Sequence, residues 1–358
     1  MPTVVAPHSP TASSFVRETA THRQSVALTL CATWLIAGLL TDSWAHTNKP
    51  GLESFWTPWH GVMYSGGGAC IIAIGLMMLR NVKLGATIRE SVPIGFEWAV
   101  CGAGLIAFSG VGDLIWHTVF GIEQNLRIFF SPTHITLIVG IALVAGAAWR
   151  AAVVTPRAPR WTTAWPVVLS AAMVAMAFGV ITGFASATSS NVLRIDDPAT
   201  LEEFGLVEFF QNLGILNLLG SILLVSIVIA GAARTVHLPR GATLAMTVLM
   251  TAGLTSDALW DNWEIVVAFG IGGIVAELAT YLVSLRRSRG ADAVVAGGSL
   301  AAGIAGGYVT VTAARYHLYL PAELWTGTIV WAGLLGSAIA LGAGSGRAVQ
   351  PRCSSAQS

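Results

Sequence analysis

The chain has 358 residues, of which 54% are hydrophobic and only 10% charged. A soluble domain carries about a quarter charged residues, so this composition excludes an ordinary soluble fold and makes the bilayer the relevant solvent. With 19 basic and 18 acidic side chains the net charge is +1, and nothing in the balance points to a nucleic-acid partner.

Residues 1–23 are rich in Ser, Thr and Pro, lack a signal-peptide layout, and are expected to be disordered. Long apolar stretches then recur to the end of the chain. Ten membrane spans are predicted, with approximate ends. The first runs from Ser25 to Thr41 and on into Asp42–His46, the second from Trp59 to Leu79, the third from Ile94 to Trp116. Pro132–Trp149, Ala164–Phe184, Val207–Gly231 and the short Gly241–Ser256 follow. The last three are Trp263–Leu285, Ala293–Ala313 and Glu323–Gly342. The expected fold class is all-α, a polytopic membrane helix bundle of about ten transmembrane helices. In this division 24–150 carries two similar hairpins (24–80 and 94–150), 160–344 holds further spans, and 345–358 is a cytoplasmic tail.

Lys and Arg orient the bundle, because they collect in cytoplasmic loops. With the N-terminus inside, the outer segments hold only Lys49, Arg127, Arg194 and Arg315. Both termini are then cytoplasmic in a multi-pass plasma-membrane protein. Asp196, Asp197, Glu202, Glu203 and Glu208 make the longest outer loop acidic. Cys31, Cys70 and Cys101 lie inside apolar spans without a CxxC pairing and read as small core residues. Glu97 and Glu277 read as intramembrane carboxylates of the inner half, and such groups are costly and functional candidates.

One pattern occurs twice. DSWAHTNKPGLESFWTPWH carries Asp42, His46, Gly51, Glu53, Thr57, Pro58 and His60. DLIWHTVFGIEQNLRIFFSPTH carries Asp113, His117, Gly121, Glu123, Ser131, Pro132 and His134. The duplication reads as an internal repeat. Asp and His at i and i+4 share one helix face. Thr57 and Ser131 read as N-caps with Pro at N1, which puts His60 and His134 at N3. The positive helix end there favours neutral imidazole, the form that binds metals. Each hairpin thus brings Asp, His and His to one depth on the extracytoplasmic side.

Polar residues at helix ends are often caps or interface anchors, but a matched pair of such triads points to a metal site. Two His and a carboxylate suit copper, zinc, iron or nickel, and the outward-facing compartment favours copper, with iron or zinc as alternatives. Glu53 and Glu123 are supporting candidates as ligands, orienting groups or proton relays. Asp257 and Asp261 in DALWD form a partial third echo, beside Glu264, and His317 falls at an outer helix end. Trp44, Trp59 and Trp116 would wall a dry pocket beside the centre.

The Asp-x3-His on one helix, with a further His opening the next, resembles the metal site in the C subunit of copper membrane monooxygenases, the particulate methane and ammonia monooxygenases. Asp113, His117 and His134 match in type and order, as do Asp42, His46 and His60. The likeness covers about a quarter of the chain, and this chain differs in duplicating the motif and in its larger number of spans. It implies a copper-dependent oxidoreductase with a small or lipophilic substrate and an electron donor or partner subunits. A transition-metal carrier or metallochaperone-like protein is the alternative reading, and a haem-binding electron carrier a third.

Overall fold

The computed structural model describes residues 15–49, 55–121, 131–189, 198–256, 259–285, 292–316 and 318–345. It is a bundle of α-helices; the described β-pairing is an isolated bridge between Thr19 and Ile94. Four helices open the chain: α1 (His22–Asn48), α2 (Pro58–Lys83), α3 (Glu97–Phe120) and α4 (Pro132–Ala145). Then come α5 (Ala147–Val154), α6 (Trp161–Ile181), the short α7 (Pro198–Glu203) and α8 (Val207–Thr235). The chain closes with α9 (Ala242–Leu254), α10 (Leu259–Leu285), α11 (Asp292–Arg315) and α12 (Ala322–Ser345).

Among the described residues, eight helices are long and apolar enough to cross a membrane: α1, α2, α3, α6, α8, α10, α11 and α12. In lipid the helix is favoured because it satisfies its own backbone polar groups. Two expected spans depart from this form. The fourth is the pair α4 and α5, bent by 42°. The seventh is α9, whose 13 residues reach only about 20 Å, short of a hydrocarbon core about 30 Å thick.

The bend has a local cause. A straight helix would join the Trp149 N–H to the Ala145 carbonyl. Ser170 of α6 is inserted between them: its Oγ accepts from Trp149 N at 3.2 Å and donates to Ala145 O. A side chain entering the helix ladder is a recognised source of kinks.

Glycine sets how closely the first four helices approach. A Cβ at Gly38 would lie 2.5 Å from Met63 Cα, and one at Gly66 2.6 Å from Leu35 Cα, so α1 and α2 meet backbone to backbone. In the α3/α4 pair a Cβ at Gly102 would lie 2.6 Å from the Gly140 carbonyl. Gly66 and Gly140 stand at the same offset from His60 and His134 in the sequence.

The opposite end carries a clasp that corrects one expectation. Residues 15–21, within the stretch expected to be disordered, are ordered against the α2–α3 connection. Ala20 N donates to Ile94 O and Ile94 N to Glu18 O, both at 3.0 Å. Thr21 then caps α1 in a capping box with Gln24. Glu97, expected as an intramembrane carboxylate of the inner half, opens α3 and pairs with Arg17 at 2.5 Å, with 45% of its side chain exposed. Glu277 accepts from the Thr243 N–H at 3.0 Å, in the first turn of α9.

Candidate metal centre

The last turns of α1 and α3 and the first turns of α2 and α4 converge. Thr57 caps α2 as its sequence suggests, accepting from His60 N at 3.1 Å. Ser131 stands at the N-cap of α4 as expected but makes no capping bond, and its Oγ bonds Thr133 Oγ1 at 2.9 Å. Pro132 still opens α4 and leaves His134 in its first turn.

All six residues Asp42, His46, His60, Asp113, His117 and His134 meet in one cluster, none with more than 13% of its side chain exposed. Ring centroids of His46 lie 5.6 Å from His60 and 6.5 Å from both His117 and His134. His117 lies 5.8 Å from His60 and 5.3 Å from His134. The copies interleave. Asp42, His46 and His60 can each offer one ligand atom within 4.8 Å of the others, and so can His60, Asp113 and His117. His60 belongs to both sets.

Backbone carbonyls fix two of the imidazoles. His60 Nδ1 donates to Phe55 O at 2.7 Å, and His117 Nδ1 to Gly121 O at 3.2 Å. A carbonyl only accepts, so these Nδ1 atoms carry protons, and in the neutral ring Nε2 presents its lone pair. The bond from His117 depends on Gly121, whose φ of +79° ends α3 where a Cβ would be strained. Each Nε2 faces a carboxylate: His60 lies 3.4 Å and His46 3.8 Å from Asp42 Oδ2, His117 3.4 Å and His134 3.0 Å from Asp113 Oδ1. Ligands held at metal–ligand distances of about 2.0–2.2 Å stand about 2.9 Å apart in an octahedron and about 3.4 Å apart in a tetrahedron. The donor set fits a transition-metal ion on distance, on lone-pair direction and on charge.

The copies are not equivalent. Asp113 is anchored: Tyr64 Oη donates to Oδ2 at 2.6 Å and Thr133 Oγ1 to Oδ1 at 3.1 Å. Among the described residues Asp42 has no such hydroxyl, and its near polar neighbours are the two imidazoles. Room for Tyr64 comes from Gly110, where a Cβ would stand 3.0 Å from the phenol ring.

Sequence reasoning missed Tyr64, Thr133 and Phe55. Tyr64 had a signal, one helical turn beyond His60; Phe55 had none. Phe55 stacks on His60 with centroids 5.0 Å apart and lies 5.6 Å from Tyr64 and 6.1 Å from His117. Of the tryptophans expected as walls, Trp44 and Trp59 pack edge-to-face on each other, and Trp116 packs on Phe120. Glu53, Glu123, Asp257 and His317 lie outside the described residues, and Asp261 is placed in α10 with its side chain outside them.

Compared with known proteins, the chain matches no family model, no curated protein and no solved structure.

Proposed function

We propose that the chain is a membrane-embedded, transition-metal-dependent oxidoreductase, with copper as its metal and a small lipophilic substrate. The observation that carries the reading is the convergence of imidazole nitrogens on carboxylates at ligand-to-ligand spacing. His46, His60 and His117 with Asp42 are the ligands. Asp113, anchored by Tyr64 and Thr133, orients His134, while the Gly121 carbonyl orients the His117 ring. A bound redox metal would supply electron transfer and oxygen chemistry. The protein's part is to hold the donors, to exclude water with Phe55 and Tyr64, and to aim the Tyr64 hydroxyl at the Asp113 carboxylate. The resemblance to copper membrane monooxygenases supports the reaction class. The Lys/Arg distribution supports an extracytoplasmic centre, an electron donor or partner subunit on that side, and cytoplasmic termini in the plasma membrane.

Metal analysis of the purified protein tests the first step. Copper near one equivalent, lost when all four histidines become alanine, is expected; full retention in that variant overturns the centre. Oxygen uptake with reductant and lipophilic substrates tests the second.

One observation favours a carrier. The glycine contacts of α1 and α2 put Cys31 and Cys70 opposite each other, within electrostatic reach, further along the same helix pair. Soft thiolates suit Cu(I). Copper flux across reconstituted vesicles that requires Cys70, without oxygen uptake, would favour the carrier. A haem does not fit the cluster, because a macrocycle seated between two of these imidazoles would overlap the others.

A further inference from the structure

A second charged group is buried in the other half of the bundle. Glu264 of α10 is 1% exposed, and neither carboxylate oxygen has a hydrogen-bond partner among the described residues. It follows Asn262, where the backbone of α10 leaves helical geometry. An ionised carboxylate left unpaired at such a place is strongly destabilising, and in a membrane span it is a functional candidate by default.

Helix register shows what surrounds it. The backbones of α10 and α11 nearly touch where Gly272 meets Ile304 and, one turn on, where Gly307 meets Ala268. The next turn sets Glu264 level with Val311, between Tyr308 and Thr312, both buried. On the α9 side Gly273 meets Leu244 and Gly270 meets Val248. The same progression reaches Thr251 and Thr255, which are also buried. These threonines have their protons turned away: Thr255 Oγ1 donates to Thr251 O at 2.7 Å, and Thr251 Oγ1 donates to Thr247 O. Thr312 and Tyr308 bond each other. The nearest cation on α11, Arg315, lies over the Trp263 ring at 5.0 Å and is bonded to Tyr316 Oη at 3.0 Å, within electrostatic reach of Glu264 but without an ion pair to it.

A carboxylate beside hydroxyl oxygens, two of them threonines whose protons are committed to backbone carbonyls, is the chemistry of a hard-cation site. One carboxylate balances one positive charge, and a divalent ion would leave an excess in a low-dielectric interior. Oxygens bridged by an ion at about 2.4 Å stand about 3.4 Å apart, at the limit of hydrogen bonding. We propose that Glu264, with the hydroxyls of Thr255, Tyr308 and Thr312, binds a monovalent cation, independently of the histidine centre.

Thermal unfolding of the purified full chain in detergent tests this, with sodium chloride against choline chloride at equal ionic strength. Sodium is expected to raise the midpoint by roughly 3 °C when well above its Kd. Glu264→Gln should remain folded, keep its copper content, and lose the sodium response. Thr312→Val should weaken the apparent sodium affinity about tenfold, the usual reach of one lost ligand. Wild-type protein indifferent to sodium, or a Glu264→Gln variant that responds as wild type does, overturns the site.

Discussion

The asymmetry between two like carboxylates is the most informative feature at the residue scale. Asp113 has both oxygens engaged by hydroxyl donors, and Asp42 keeps lone pairs available for a metal. Asp42→Asn should therefore deplete bound metal far more than Asp113→Asn. Loss of an orienting partner typically lowers metal affinity about 10–100-fold, so Asp113→Asn should bind under excess copper with an altered electron paramagnetic resonance signature. Tyr64→Phe should reproduce part of that spectral change at near-normal stoichiometry. Equal metal loss in both Asp variants would show that the carboxylates are interchangeable. The six Asp and His positions were legible because a metal site needs those chemistries at helical spacing. Tyr64 and Phe55 were not, since aromatic residues in an apolar chain are marked only by what they touch.

At the level of elements, full-length spans were legible because lipid forces a helix on any long apolar run. The exceptions arise from contacts between elements. The α4–α5 bend comes from Ser170 on another helix, and no local pattern around Gly146 announces it. Ser170→Ala would strand the Trp149 N–H and Ala145 carbonyl, at a cost of about 1–3 kcal/mol. A lowered unfolding midpoint in detergent, relieved in Ser170→Thr, is the expected result. Gly66→Leu is the sharper test of how α1 and α2 support the centre. Its side chain has only the Leu35 backbone to meet, so the helices must separate and carry Asp42 away from His60. Metal loss should accompany the loss of stability, whereas unchanged copper content would mean that the ligands do not depend on that contact.

For the whole molecule, the proposed orientation rests on charge, and packing gives the address of the cluster. The clustered ligands occupy the ends of α1–α4 that face the Lys- and Arg-poor segments. A cysteine at Thr47, exposed at the end of α1, should therefore react in intact cells with a membrane-impermeant maleimide. A cysteine at Gly85, exposed in the α2–α3 connection, should react only after lysis. The reverse pattern would turn the protein over and place the centre in the cytoplasm.

The sharing of His60 between the two ligand sets has a consequence for biogenesis. Helices leave the ribosome in order, so the first hairpin is made while its partner is still unsynthesised. At that stage it offers Asp42, His46 and His60 but lacks the ring of His117 and the anchored Asp113 beside it. High-affinity loading must then wait for the second hairpin to dock. On the proposed reading, a chain stopped before α3 would leave any bound metal exchangeable, so the centre would report, through the metal it retains, whether the first half of the bundle has been assembled.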